Sequence, residues 1–162
     1  MLNLPAGGLA DVTIRSLASD GSGVGELPDG RIIFIPRSAP GDKTRVKVTV
    51  LKRRWARGQL ENILHPTEER SSPLCSLYEK CGGCSLQHIS YSEQLKWKGR
   101  FVVEALSRIG GLEVEKVPVT ASPHLSRYRN RMTFTLRRLR AGRVVAGFHG
   151  LDRPSHVIDV KG

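Results

Sequence analysis

The sequence predicts a mainly β protein with one helix, built as a small OB-like β-barrel followed by a partial α+β domain with an antiparallel sheet. Three patterns lead to this class. Five short strand patterns separated by turn signals occupy residues 10–64. A helix signature covers residues 90–109, and apolar and polar side chains alternate over residues 127–137. The predicted boundaries are 1–65 for the barrel and 66–162 for the second unit.

Turns rich in glycine and proline separate the predicted barrel strands. They stand at residues 20–25, 28–30 and 40–42. Residues 31–36, with the sequence RIIFIP, lie between the last two turns and have the apolar character of a short buried strand. Residues 44–52 alternate valine with polar and charged residues, which predicts a strand with one buried face.

The chain is strongly basic. Lysine and arginine total 26 against 15 acidic residues, which gives a net charge of +11. A surplus of this size favours polyanionic partners, above all nucleic acid. One cationic group surrounds an aromatic residue before the last predicted barrel strand, where the cations would hold phosphates and the ring would stack on a base. The candidate RNA-binding residues in this group are Arg53, Arg54, Trp55 and Arg57.

A second cationic group lies on one face of a predicted strand. No acidic residue occurs between Glu115 and Asp152. Within the alternating segment, arginines on the same face would sit about 6.6 Å apart, a spacing that suits successive phosphates of single-stranded RNA. The candidates are Arg127, Arg129, Arg131 and Arg137. The alternative is a solvent-exposed face that binds nothing.

The predicted helix has recognisable ends. Ser90 followed by Glu93 is typical of a capping box at the N-terminus, and Gly110 with Gly111 ends the helix. The predicted buried stripe consists of Leu95, Val102, Leu106 and Ile109, with Phe101 and Ala105 beside it.

Three cysteines fall within ten residues, in the spacing Cys75-x5-Cys81-x2-Cys84. An odd, clustered set is unlike the disulfide framework of a secreted protein, whereas soft thiolate ligands in a glycine-containing loop suit zinc or iron–sulfur. The spacing does not separate these two metals. Three thiolates leave one coordination position open, which His88 or a residue outside the chain would fill. Structural cysteines without a metal are the alternative.

Three groups of motifs resemble those of the RNA uracil-5-methyltransferases that modify 23S ribosomal RNA or transfer RNA. Residues 6–65 are similar to a TRAM domain, an OB-like RNA-binding barrel. This similarity is carried by the segments 21–25 (GSGVG), 33–36 (IFIP) and 40–42 (PGD). The second match is more specific and resembles the family's iron–sulfur motif: Cys75, then Cys81-Gly82-Gly83-Cys84-Ser85-Leu86-Gln87-His88, followed by Tyr91, Gln94-Leu95 and Lys98. Tyr128-Arg129-Asn130-Arg131 and Gly147-Phe148-His149 resemble later landmarks of the family's central domain.

The resemblance implies a function and its cofactors. Four cysteines would hold a [4Fe–4S] cluster, the fourth following a segment like residues 155–160, close to where this sequence ends. A methyl group from S-adenosylmethionine would reach C5 of a flipped-out uracil, with 23S ribosomal RNA favoured over tRNA as substrate. The catalytic residues and the S-adenosylmethionine site would belong to a C-terminal domain absent from this sequence. We therefore expect an enzyme as the full-length parent, no catalytic residue in this chain, and no activity of the chain alone.

Other readings of the sequence remain. The chain would otherwise be a stand-alone zinc- or iron–sulfur-binding RNA adaptor without catalytic activity. A radical methylthiotransferase also pairs TRAM with iron–sulfur, but it needs Cys-x3-Cys-x2-Cys and usually carries TRAM at its C-terminus. Without a signal peptide or an apolar run of about 20 residues, we expect a cytoplasmic protein with no membrane partner. An incomplete C-terminal sheet would expose an edge, which predicts a possible dimer.

Overall fold

A computed structural model describes residues 5–140, 142–153 and 155–160. Most of the regular structure in these residues is β, with a single α-helix. The first four residues of the predicted barrel unit, together with Ala141, Pro154 and the last two residues, lie outside the described part. The elements in chain order are β1 (Leu9–Thr13), β2 (Ser16–Leu17), β3 (Gly23–Glu26), β4 (Ile32–Ile35), β5 (Lys43–Leu51), β6 (Trp55–His65), α1 (Tyr91–Arg108), β7 (Thr135–Arg138), β8 (Val144–His149) and β9 (Val157–Asp159).

The first six strands form one curled sheet in the order β1-β5-β6-β4-β3-β2. Strands β4 and β6 run parallel, and the other neighbours are antiparallel. The two edge strands, β1 and β2, are separated in the chain only by Ile14 and Arg15. Ile14 N donates to Asp42 O on one side, and Arg15 N donates to Val24 O on the other. This switch of partners curls the sheet and explains why six strands occur where the sequence pattern predicts five.

The barrel interior is filled by aliphatic side chains. The buried cluster contains Ala10, Val12, Ile14, Leu27, Ile33, Ile35, Val46, Val48 and Ala56. In β5 the burial alternates residue by residue, as the valine spacing predicts. Gly58 faces this interior, and a Cβ there would lie 2.9 Å from Ile33 Cδ1. The core therefore has no room for a side chain at position 58.

Helix α1 begins and ends as the sequence predicts. Ser90 is the N-cap, and its side chain accepts a hydrogen bond from Glu93 N. At the other end, Gly111 adopts a positive φ of 64°, and Leu112 N donates to Leu106 O. The predicted buried stripe is wrong, however: Val102 is 47% exposed and Ile109 88% exposed.

The buried face of α1 is centred on Trp97. This side chain packs with Leu17, Ala39 and Ile89, and the partly buried Phe101 packs against the same cluster. Trp97 Nε1 also donates to Glu93 Oε1 at 2.8 Å. The helix therefore docks through its large aromatic residue, which anchors it beside the barrel residues Leu17 and Ala39.

The second sheet has three antiparallel strands in the order β7-β8-β9. Strand β8 has β7 and β9 as its two neighbours, so β7 has a free edge within the described part of the chain. The predicted strand over residues 127–137 is wrong for most of its length, since only Thr135–Arg138 is a strand. Arg127 has a φ of 56°, which no β-strand accommodates. Without a neighbour to pair with, the segment before residue 135 has no ladder hydrogen bonds.

No described helix combines the length and the hydropathy needed to cross a membrane.

Candidate functional site

The outer face of the barrel carries an exposed aromatic residue where β4 and β6 pair. Trp55 is the first residue of β6, pairs in register with Ile32, and is 41% exposed. Arg57 is also exposed and lies opposite Phe34 in the strand register. Ala56, between Trp55 and Arg57 in the chain, is buried. Alternation along the strand therefore places Trp55 and Arg57 on the same outer face.

Unpaired cations stand beside this tryptophan. Lys52, Arg53 and Arg54 form the turn between β5 and β6, and a hydrogen bond from Lys52 N to Trp55 O closes it. All three side chains are exposed, and none forms an ion pair with another described residue. Arg57 lies 3.8 Å from Asp20, with both side chains more than half exposed. The first predicted cationic group is therefore exposed at the turn before β6 and on the outer face of that strand.

The second predicted cationic group is not brought onto one strand. Arg127, Arg129 and Arg131 are exposed and lie outside regular structure. Arg137 lies in β7, and its Nη1 donates to Ser155 O. The regular arginine spacing predicted for a strand is absent over residues 127–134.

The cysteine loop, residues 75–84, packs between the barrel and the second sheet. On the sheet side, Gly82 N donates to His149 O at 2.9 Å, and Cys81 forms a β-bridge with Gly150. A Cβ on Gly83 would lie 2.8 Å from the Phe148 ring. These close approaches explain the two glycines between Cys81 and Cys84, because a side chain at either position would separate the loop from β8.

Arg37 fixes the loop to the barrel. Its side chain is buried, and its two terminal nitrogens donate to the carbonyls of Cys84 at 2.6 Å and of Tyr78 and Cys81 at 2.7 Å. The residue has a φ of 69°, which is uncommon for a residue with a Cβ. Its Nε has no hydrogen-bond partner among the described residues. Five donors on a rigid plane allow one arginine to bind three carbonyls, which lysine's single ammonium does not match in geometry.

A buried ion pair between Asp42 and Arg70 links the segment after β6 to the turn that contains Arg37. Asp42 is fully buried and accepts hydrogen bonds from Arg70 Nη2 at 2.8 Å, Ala39 N at 2.6 Å and Thr67 N at 3.0 Å. Arg70 Nη2 also donates to Arg37 O. The segment that leaves the barrel after β6 is therefore hydrogen-bonded to the turn that contains Arg37.

His88 is a structural residue and not the fourth metal ligand that the sequence offered. It is buried, with Nδ1 2.6 Å from Tyr78 Oη and Nε2 3.1 Å from Ser38 O. Burial, more than the nearby Arg70 and Arg37 charges, lowers the pKa of His88 to about 4. Burial also raises the pKa of Tyr78. Both ring nitrogens of His88 are within hydrogen-bond distance of a partner, Nδ1 of the Tyr78 hydroxyl and Nε2 of Ser38 O, so neither is free to bind a metal.

The cysteines match a metal site in chemistry but not in arrangement. Gly83 N–H points at Cys81 Sγ, 3.4 Å away, as amides do around metal-bound thiolates. Cys81 is buried, whereas Cys75 and Cys84 are exposed. Among the described residues, no three His, Cys, Asp or Glu side chains form a group that could hold a metal ion. Metal binding by Cys75, Cys81 and Cys84 therefore stays a prediction.

Sequence reasoning missed the residues that anchor the loop. Arg37 is a charged residue directly after an apolar strand, and Asp42 follows the turn Pro40-Gly41. Their positions hinted at burial, but their partners lie far away in the chain. It also missed Phe34, whose outward direction follows from the alternation in β4.

The barrel is similar to a known domain. Residues 7–60 match the model of the TRAM domain. This chain carries a TRAM domain. The domain covers β1 to β5 and the first half of β6, including the turn with Arg53 and Arg54 and the exposed Trp55.

Similarity to other proteins extends well beyond the TRAM domain. The chain is 38% identical over 144 residues to a Synechocystis protein named "uncharacterized RNA methyltransferase", covering 88% of this chain and 31% of that protein. A Listeria innocua protein of the same name is 41% identical over 151 residues, covering 93% of this chain and 32% of that protein. The chain thus spans about a third of the length of these curated relatives.

Among solved structures, the chain is similar to the tRNA (uracil-54, C5)-methyltransferase of Pyrococcus abyssi, solved in complex with S-adenosyl-L-homocysteine. The two are 35% identical, with 67% of this chain and 23% of that chain covered, at a TM-score of 0.41.

Proposed function

We propose that this chain is the RNA-binding N-terminal part of an RNA (uracil-5-)-methyltransferase that uses S-adenosylmethionine, acts in the cytoplasm and modifies 23S ribosomal RNA rather than tRNA. The observation that carries the proposal is that Lys52, Arg53 and Arg54, next to exposed Trp55 on a TRAM domain, form no ion pair with another described residue. The relatives named RNA methyltransferases support it. The uracil-5 specificity rests on the resemblance of residues 81–88 to the family's cysteine motif.

RNA would bind chiefly through charge. Arg53 and Arg54 offer planar donors to phosphate oxygens, and Arg57 extends the cationic surface along β6. Binding that neutralises phosphates releases counterions, so the affinity should fall steeply as salt rises. Arg127, Arg129, Arg131 and Arg137 remain candidates for further phosphate contacts, now as an irregular exposed segment and one strand residue.

A salt titration of labelled single-stranded RNA tests this proposal. Replacing Arg53 and Arg54 together by alanine should weaken binding and lower the salt slope by about one unit per lost phosphate contact. The matched control replaces Arg45 and Arg143, which carry the same charge but are paired with Asp11 and Asp159. A second pair, Arg129 and Arg131, tests the irregular segment. Binding that ignores salt, or equal effects of the first pair and its control, would contradict RNA binding at this turn.

Methyl transfer would require residues beyond those described. All three cysteines lie in the loop between the barrel and α1, and no glycine-rich strand-to-helix turn of the kind that holds S-adenosylmethionine follows a described strand. We therefore expect the chain to bind RNA but not to methylate it. Transfer of labelled methyl groups from S-adenosylmethionine to ribosomal RNA by the purified chain would contradict this division.

A second proposal concerns metal. We propose that Cys75, Cys81 and Cys84 bind a [4Fe–4S] cluster, with zinc as the alternative, and the amide directed at Cys81 Sγ favours this. Anaerobic reconstitution followed by iron, sulfide and zinc analysis tests it, with Cys75→Ser, Cys81→Ser and Cys84→Ser as variants. Equal metal content in wild type and all three variants would contradict the site.

A further inference from the structure

Beside Trp55, a second aromatic side chain faces outward from the barrel. Phe34 lies on β4, between the buried residues Ile33 and Ile35, so its ring points away from the core. In register it stands between Val24 of β3 and Arg57 of β6. The ring is partly buried and partly open to solvent, which leaves one side available to a ligand.

The two rings form a corner. The ring centroids of Phe34 and Trp55 are 6.3 Å apart, and the ring planes meet at 73°. At this angle a flat ligand cannot be sandwiched between them, but it can lie on the face of one ring with its edge against the other. The T-shaped contact also holds the Trp55 indole in one orientation before a ligand arrives, which reduces the entropy lost on binding.

Charge around the corner selects the kind of flat ligand. Arg57 lies next to Phe34 in register, and Arg53 and Arg54 directly precede Trp55 in the chain. Asp29 pairs with Arg31 and Asp20 lies 3.8 Å from Arg57, so Arg53 and Arg54 are the cations of this rim without an acidic partner among the described residues. The corner therefore combines an apolar, aromatic surface with a cationic rim, which matches a nucleotide whose base is apolar on its faces and whose phosphate is anionic.

We propose that the Phe34–Trp55 corner binds one unpaired base of single-stranded RNA, with its phosphate on the turn of Arg53 and Arg54. The proposal rests on the RNA binding proposed above and deepens it. In a duplex both faces of each base are covered by its neighbours, so only an unpaired base can stack on the indole. The TRAM domain should accordingly prefer single strands and loops to double helices.

Tryptophan emission provides a direct readout. The chain has two tryptophans, and Trp97 is buried, so quenching by RNA reports on Trp55. The probe is a labelled single-stranded oligoribonucleotide of about 12 residues, compared with the same strand annealed to its complement at equal salt. We expect quenching by the single strand, little quenching by the duplex, and tighter binding of the single strand.

The matched variants are Phe34→Leu and Phe101→Leu, since Phe101 is also half-buried but lies on α1. Phe34→Leu should weaken single-strand binding by about three- to tenfold without changing the salt slope, whereas Phe101→Leu should not weaken it. Equal affinity for single strand and duplex, or no quenching in the unmodified chain, would contradict base binding at the corner. These two results do not depend on whether Phe34→Leu folds. Absence of any salt-dependent binding would instead overturn the proposed RNA-binding function itself.

Discussion

The guanidinium carbon of Arg37 lies 3.6 Å from the centre of the Tyr78 ring. The same guanidinium donates to the main-chain carbonyls of Tyr78, Cys81 and Cys84, so one barrel side chain holds the cysteine loop at three points and across one ring face. A cation over a buried aromatic ring gains attraction that water does not screen. Arg37 therefore links the cysteine loop to the barrel through main-chain and ring contacts together.

Arg37→Lys should destabilise the protein and loosen the loop. A lysine ammonium cannot reproduce the planar contacts, so buried carbonyls lose their donors, at a cost of about 3 kcal/mol in the free energy of unfolding. Urea unfolding measures the loss, and hydrogen exchange should rise in residues 75–84. The control is Arg45→Lys on the exposed side of β5, which should change neither. Unchanged exchange in the loop would show that Arg37 does not hold it.

Asp42→Asn should destabilise the turn behind Arg37. The carboxylate accepts from Arg70 and from two main-chain amides, and an asparagine NH2 would face one of those donors. Breaking a buried, hydrogen-bonded ion pair on one side typically costs about 3 kcal/mol or more. Thermal and urea unfolding measure the effect. The control is Asp11→Asn, because Asp11 is exposed and pairs with Arg45; this variant should leave the unfolding midpoint unchanged. A similar loss of stability in both variants would contradict the role assigned to the burial of Asp42.

His88 should make the stability depend on pH in a definite direction. Its folded-state pKa is lowered to about 4 from an ordinary value of 6.5, so the unfolded chain binds a proton at a pH where the folded chain does not. Stability from this group is intact above pH 6.5 and is lost as the pH falls towards 4, by up to about 3 kcal/mol. Urea unfolding at pH 7 and pH 5 measures the change.

The variants for this experiment are His88→Gln and His65→Gln. Glutamine at position 88 keeps a hydrogen-bond donor and cannot titrate, so the pH dependence should shrink although the protein is less stable at pH 7. His65 is exposed at the end of β6 and serves as the control. The same pH dependence in His88→Gln as in the unmodified chain would assign it to other groups.

The parts of the fold that the sequence predicted are those set by local patterns. Val46 and Val48 alternate with charges because β5 has one buried face, and Ser90 caps α1 through a bond to a residue three positions away. Residues 127–134 alternate just as clearly, yet they form no strand. Alternation indicates which side chains would share a face, but a strand also needs a neighbour whose backbone groups pair with its own.

The residues of the candidate site also differ in how far the sequence could predict them. The cationic turn and Trp55 were predictable because exposed residues adjacent in sequence are also adjacent in space. Arg37 was not, because its three acceptors lie 41 to 47 positions further along the chain. The helix stripe failed for a related reason: α1 has apolar residues on more than one side, and only tertiary packing selects the side with Trp97.

The second sheet should mediate self-association. Strand β7 pairs only with β8 among the described strands, and β7 and its approach carry exposed apolar side chains, with Leu136 at 71%, Tyr128 at 63% and Met132 at 47% exposure. An open strand edge with apolar side chains can pair with a second copy of itself. We expect light scattering to show a dimer whose share rises with concentration.

Leu136→Lys should shift that equilibrium to the monomer, because it places a charge on the strand that would pair. The matched control is Ile109→Lys, the same kind of change at a position 88% exposed at the end of α1. The control should leave the dimer intact if β7 is the contact. A monomer at every concentration would contradict self-association, and dissociation by Ile109→Lys alone would place the contact on the apolar face of α1 lined by Val102, Leu106 and Ile109.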